Sequence, residues 1–113
     1  MIRFSSALNE QSEISRLHMM LYSDIDAADR IQFSTERLLI SHNYNVVTYS
    51  FSDNVIVRNA TVPDTIINRN ASVNLIDHDY GDQSIRIILD PSSDQPTTFS
   101  FYKEYDPEKI INH

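Results

Sequence analysis

The fold is decided by residues 46–58, which read VVTYSFSDNVIVR. Apolar side chains alternate with polar ones before and after Ser52-Asp53-Asn54, for example Val47, Tyr49 and Phe51. A period of two is typical of half-buried β-strands, and Asp and Asn favour tight turns. The stretch therefore predicts two antiparallel strands joined by a short turn.

The same alternation recurs downstream, with turn signals between the runs. The runs are Val73 to Leu75, Ile85 to Leu89 and Phe99 to Phe101, and the turn signals are residues 42–45, 77–82 with the sole glycine Gly81, and 91–94. A parallel crossover would need a dozen or more residues, so these short connections favour antiparallel pairing. We expect a β-meander of five or six strands from about residue 37 to 103.

Upstream of the sheet the apolar period changes to that of an α-helix. Neither glycine nor proline occurs from Ser5 to about Ile31, and apolar residues recur mostly every three or four positions, at Leu8, Ile14, Leu17, Leu21, Ile25, Ala28 and Ile31. This spacing places them on one stripe and predicts an amphipathic helix over about 5–32. The candidate interaction and packing residues of this stripe are Ile14, Leu17, Leu21, Ile25 and Ala28.

The predicted fold class is α+β, with the N-terminal amphipathic helix packed on the antiparallel β-meander in two layers. At 113 residues the chain has the length of one domain, so residues 1–113 are expected to form a single unit.

Charge narrows the classes of partner. Sixteen Asp and Glu against nine Lys and Arg give a formal net charge of -7, and the basic residues are scattered. Nucleic acid needs a basic stripe, and an anionic membrane surface would repel this charge, so neither is expected to bind the folded part. The chain has no cysteine, which excludes a disulfide framework and a thiolate metal site.

Motifs for catalysis are missing from the sequence. A phosphate-binding loop needs several glycines, a hydrolase elbow needs Gly-x-Ser-x-Gly, and neither pattern occurs. We expect no enzyme activity and no cofactor. A small-ligand enzyme ranks third among the functional hypotheses, because no convergent polar set is visible.

The acidic segment 77–82 is the best candidate for a metal site. Asp77, Asp79 and Asp82 could supply oxygen ligands to a hard cation such as Ca²⁺, with Gly81 allowing the turn. The segment lacks the later bidentate glutamate of a calcium loop, so an acidic hairpin turn is the favoured interpretation.

Other chemically capable residues have structural interpretations. The four histidines, His18, His42, His78 and His113, show no zinc spacing. Met19 and Met20 could form an adaptable binding surface, although core filling is favoured. Five tyrosines could stack on a sugar or peptide but are common in strands and turns: Tyr44, Tyr49, Tyr80, Tyr102 and Tyr105.

Taken in order, the first half of the chain resembles the type IV pilin and type II secretion minor pseudopilin family. The resemblance lies in Arg16-Leu17, Leu21, Asp24-Ile25, Ala28 and Ile31, then Leu38-Leu39-Ile40, then residues 46–51, and finally Asn54 to Arg58. In that family a long helix with leucines, an aspartate and an alanine runs into hairpins, where Tyr49, Phe51, Asp53, Asn54 and Arg58 take the expected places.

The resemblance implies a non-enzymatic structural subunit of a pilus or pseudopilus used in secretion, adhesion or DNA uptake. Its partners would be other pilin or pseudopilin subunits, and its location the cell envelope, periplasm or cell surface. An apolar helix upstream of residue 1, missing from this sequence, would anchor it in the inner membrane. The alternative hypothesis is a small acidic binding module, such as a secretion chaperone or adaptor, that holds a partner segment against its sheet.

Overall fold

The computed structural model describes residues 2–52 and 54–105, with the side chains of residues 2–11 outside the description. Helix α1 spans Ile2–Ala27. The strands are β1 (Arg30–Ser34), β2 (Arg37–His42), β3 (Asn45–Ser52), β4 (Val55–Asn59), β5 (Pro63–Ile67), β6 (Ala71–Asp77), β7 (Gln83–Leu89) and β8 (Thr97–Lys103).

The strands form two antiparallel sheets. The first has five strands in the order β1-β2-β3-β4-β5, and the second has three in the order β6-β7-β8. The predicted pilin-like α+β class with a single meander of five or six strands is therefore wrong. The described residues form a mostly antiparallel β structure of eight strands in two sheets, with one helix.

One missed strand is β1, because the prediction carried the helix to about residue 32. The helix ends at Ala27, and Ile31 and Phe33 point inward from β1 rather than from the helix. The turn to β2 is made by Thr35 and Glu36, both with positive φ (51° and 60°). Neither residue type normally favours that backbone region, so the sequence carried no turn signal there.

The second missed strand is β5, which begins with Pro63 and pairs with β4. Proline is tolerated at the start of an edge strand because it has no amide hydrogen to donate. The register shifts between Ile56 and Val57, and the adjacent residues Ile66 and Ile67 are both buried. This irregularity removes the alternation by which the other strands are recognised.

The helix and both sheets share one hydrophobic core, and the helix contacts β2 and β5 of the first sheet and β8 of the second. The buried apolar residues of the described part are Leu17, Leu21, Ile25, Ala28, Ile31, Leu38, Ile40, Tyr49, Phe51, Ile56, Ile66, Ile67, Ile85, Ile87, Leu89, Phe99 and Phe101. The second sheet presents one face to this core and the other to solvent, as the burial of β7 shows by alternating along the strand.

Candidate functional site: the anchored helix

The inner stripe of α1 holds the helix against both sheets. Leu17 and Leu21 are completely buried, and Ile14 is half-buried. Ile25 and Ala28, which directly follows the helix, are almost completely buried. These five residues were predicted to serve interaction or packing, and the structure places all of them against the chain's own core. Their contacts are thus intramolecular, and any assembly surface of the helix must use another face.

A polar anchor joins the last turn of the helix to the first sheet. Asp24 accepts two hydrogen bonds from Arg58, at 3.0 Å from Nε to Oδ2 and at 3.1 Å from Nη2 to Oδ1. The Tyr49 hydroxyl donates a third to Asp24 Oδ2. The two-pronged arginine contact fixes the orientation of the carboxylate as well as its position.

The anchor arises because Tyr49 and Arg58 are direct cross-strand partners on β3 and β4. Burial, followed by the hydrogen bond to Asp24, raises the pKa of Tyr49 far above its usual value. The hydrogen bonds to Asp24 also raise the pKa of Arg58. Tyrosine is therefore neutral and arginine charged at all physiological pH values, and the anchor acts as a fixed structural link.

Two further contacts flank the anchor. Arg16, about two turns before Asp24, forms an ion pair with Asp64 of β5. At the other end of the helix, Lys103 Nζ of β8 donates to the backbone carbonyl of Asp26. A cation at a helix C-terminus is favourable because the carbonyl ends of the peptide dipoles point toward it.

On the side of the second sheet, the helix makes an aromatic contact. The His18 ring lies 5.2 Å from the Phe99 ring and 5.6 Å from the Phe101 ring, centroid to centroid. Both distances are in the range of favourable ring pairs. His18 therefore covers the two phenylalanines of β8 from the solvent side.

A cleft of about 1090 Å³ lies where the C-terminal end of the helix meets both sheets. At its base lies Gln83, a buried polar side chain. Its Nε2 donates hydrogen bonds to the Ile31 carbonyl at 3.0 Å and to Asp77 Oδ1 at 2.7 Å, and its Oε1 accepts a hydrogen bond from the Tyr105 hydroxyl. Burial, together with the charges of Asp77 and Asp29, raises the pKa of Tyr105 to about 12. The side-chain amide of Gln83 is fully engaged in linking the two sheets.

The acidic segment 77–82 forms the turn between β6 and β7. Asp77 is bound to Gln83, and Asp82 accepts a hydrogen bond of 2.7 Å from the Tyr102 hydroxyl, while Asp79 is exposed. Among the described residues no group of three acidic or histidine side chains is placed to hold a metal ion. Two of the three candidate carboxylates, those of Asp77 and Asp82, thus accept hydrogen bonds from side chains of the protein.

The remaining candidates are dispersed. Two of the histidines make local contacts: His42 Nδ1 lies 3.8 Å from Asp29 Oδ2, and His78 Nε2 lies 2.7 Å from Ser84 Oγ. His113 lies outside the described residues, as does Asp53. Met19 is 70% exposed, whereas Met20 is half-buried and packs on the core. The tyrosines at positions 44 and 80 are exposed at hairpin tips, and Tyr49 is the buried one.

The sequence analysis named Asp24 and Arg58 only as part of the family resemblance, and it did not predict that these two residues, Gln83 and Lys103 link the elements through polar groups. One signal was available. A two-residue turn at 53–54 places Tyr49 opposite Arg58, so an arginine and a tyrosine were to be expected side by side on one face.

No helix within the described residues is both long and apolar enough to cross a membrane. No protein-family model, curated protein or solved structure matches the chain.

Proposed function

We propose that this protein is a non-enzymatic structural subunit of a pilus-like or pseudopilus-like assembly in the cell envelope. The observation that carries the proposal is the Asp24 anchor. It unites three residues of the family resemblance, Asp24 on the helix and Tyr49 and Arg58 on the strands, in one set of hydrogen bonds. A helix fixed in this way can transmit force between the sheets and the subunits that its N-terminal part contacts in the assembly.

The shape of the chain supports the same proposal. The helix has 26 residues and is therefore about 39 Å long at 1.5 Å per residue. The longest dimension of the chain is 57 Å, against 31 and 23 Å for the others. An elongated subunit with a long helix suits assembly by lateral packing of helices.

The absence of catalytic motifs is consistent with a structural role. Among the described residues, every buried side-chain nitrogen and oxygen has a hydrogen-bond partner. Tyr49 is hydrogen-bonded to Asp24, and Gln83 is hydrogen-bonded to Asp77.

The test is to cross-link the complete gene product in its native envelope. The sequence has no cysteine, so single Ser12→Cys and Ser15→Cys variants on the exposed side of the helix give a clean reaction. A cross-linker that joins this thiol to an amine of a neighbouring protein should yield dimers that contain this chain and another envelope subunit. Ser92→Cys, in the exposed turn before β8, is the matched control and should stay unlinked.

The upstream gene sequence is the second part of the test. We expect about 20 mainly apolar residues before residue 1, enough to cross a bilayer as a helix. A complete product without such a segment, and without cross-links from either helix position, would refute the proposal.

A second candidate is a small acidic binding module, such as a secretion chaperone or adaptor. The cleft of about 1090 Å³ at the helix end favours it, because a cleft of that size can receive a partner's side chains. This candidate predicts that a Gln32→Trp variant, which narrows the cleft from β1, releases a co-purifying partner while the helix cross-links stay absent.

A further inference from the structure

The solvent face of the second sheet carries a slot with apolar walls. Ile76, Ser84 and Tyr102 are cross-strand neighbours in one row on β6, β7 and β8, and all three side chains point away from the core. The large side chains of Ile76 and Tyr102 are 54% and 59% exposed and stand about 10 Å apart across the small Ser84. The groove at this place has a volume of about 320 Å³.

The slot is held in shape by the turn beside it. The Tyr102 hydroxyl donates to Asp82 Oδ2 at 2.7 Å, and the His78 ring lies 5.9 Å from the Tyr102 ring. His78 is in turn bound to Ser84 Oγ at 2.7 Å. One wall and the floor of the slot are therefore positioned before any partner arrives.

A free cation lies at one end of the slot. Arg86 is the next outward residue after Ser84 on β7, about 7 Å further along the strand. It is exposed and makes no hydrogen bond or ion pair with any residue in the described part of the chain. An incoming aromatic side chain with a carboxylate beside it would fill the slot and pair with Arg86.

The chain itself carries such a group. Tyr80, in the turn between β6 and β7, is 89% exposed and therefore does not occupy the slot of its own chain. It follows Asp79, which is also exposed and is not paired with any described residue. The segment Asp79-Tyr80 has the aromatic ring and the adjacent negative charge that the slot and Arg86 would accept.

We infer that the slot receives Tyr80 of a second copy of this chain, with Asp79 of that copy paired to Arg86. The inference rests on the proposed function and names one contact between its subunits. The slot and the turn lie at the same end of the same sheet, so a two-fold contact would bury both copies' rings at once. Two chains of net charge -7 repel each other, and a contact that pairs a free arginine with a free aspartate reduces that repulsion locally.

The experiment measures self-association of the purified chain by sedimentation equilibrium over a wide concentration range. We expect concentration-dependent dimerisation that weakens at least about tenfold in Arg86→Asp and in Asp79→Arg, because each places like charges together. The double variant Arg86→Asp with Asp79→Arg restores opposite charges and should regain the dimer. Tyr80→Ser should weaken it as well, since the ring no longer fills the slot.

Matched controls distinguish this contact from general effects of charge and exposed rings. Arg37→Asp changes another exposed arginine, on the first sheet, and Tyr44→Ser removes the other fully exposed hairpin-tip tyrosine. Both should dimerise like the wild type.

A dimer that is equally strong in all variants would overturn the slot contact and leave the cross-linking test of the assembly to decide on its own. A wild-type chain that stays monomeric at the highest concentration would overturn the slot contact too. Loss of the helix cross-links with an intact slot dimer would instead count against the pilus-like assembly alone.

Discussion

The helix is attached to the two sheets in different ways. Toward the first sheet its contacts are directional: Asp24 binds Arg58 and Tyr49, and Arg16 pairs with Asp64. Toward the second sheet they are the His18 ring on the phenylalanines of β8 and one hydrogen bond, from Lys103 to the Asp26 carbonyl. Hydrogen bonds to a carboxylate fix an orientation, whereas ring contacts tolerate small displacements. The first sheet thus sets the position of the helix, and the second completes its burial.

The largest effect should come from the apolar stripe, on which both attachments depend. Leu21→Ala removes a completely buried side chain of the helix and should lower the free energy of unfolding by about 4 kcal/mol, through lost burial and the cavity left behind. Urea denaturation followed by circular dichroism measures this. Met19→Ala, on an exposed position two residues away, is the control and should change stability by less than about 0.5 kcal/mol.

The directional attachment is tested by Asp24→Ala. The change leaves Arg58 and Tyr49 without their shared acceptor in a partly buried place, and we expect a loss of about 3 kcal/mol. Asp26→Ala removes an exposed carboxylate of the same helix and should be nearly neutral, since only its backbone carbonyl is used. Equal losses in the two variants would show that the anchor contributes little beyond surface charge.

The tyrosine of the anchor gives the first attachment a pH dependence. Because the pKa of Tyr49 is raised in the folded state, its contribution is present below about pH 10, the ordinary tyrosine pKa, and is lost as pH rises above it. Tyr49→Phe should cost about 1.5 kcal/mol at neutral pH and should flatten the decline of stability in alkali. Part of the decline persists because the pKa of Tyr105 is also raised, to about 12. An unchanged alkaline slope in Tyr49→Phe would contradict the assignment.

The smallest effect is expected on the aromatic side. His18→Ala removes a ring that stacks on Phe99 and Phe101 from the solvent side, and we expect a loss of about 1 kcal/mol. His18→Phe keeps a ring in place and should restore most of it. A loss as large as that of Asp24→Ala would mean that the two attachments are equivalent, against the distinction drawn from their geometry.

The sequence predicted the parts of the fold that have a regular period. Alternation indicated the strands around residues 47–51, 85–89 and 99–101, and the three-and-four spacing indicated the helical stripe. It missed the two strands whose sequences lack a clear period of two. β1 was assigned to the helix because Ala28 and Ile31 continue the helical spacing. β5 was not recognised because it begins with Pro63 and contains a register shift. The division into two sheets has no local signal, since the break between β5 and β6 depends on packing in three dimensions.

The candidate site shows the same limit. The stripe residues were visible in the sequence, but the meeting of Asp24 with Arg58 joins positions 34 residues apart. The contact depends on the cross-strand register of β3 and β4 and on where the helix rests, and only the first of these follows from turn length. That Arg86 and Asp79 have no partner among the described residues could not be identified at all, because every charged residue in a sequence has potential partners.

The contact of Lys103 with the end of the helix joins positions 77 residues apart. During synthesis the helix leaves the ribosome before the strands, yet its C-terminal carbonyls and its aromatic side gain their partners only when β8 has emerged. Until then the apolar stripe of the helix is only partly buried, and the nascent chain exposes hydrophobic side chains to solvent. The described part of the chain therefore completes its fold only after β8 has been made, and a chain cut before residue 97 would be a substrate for chaperones and proteases.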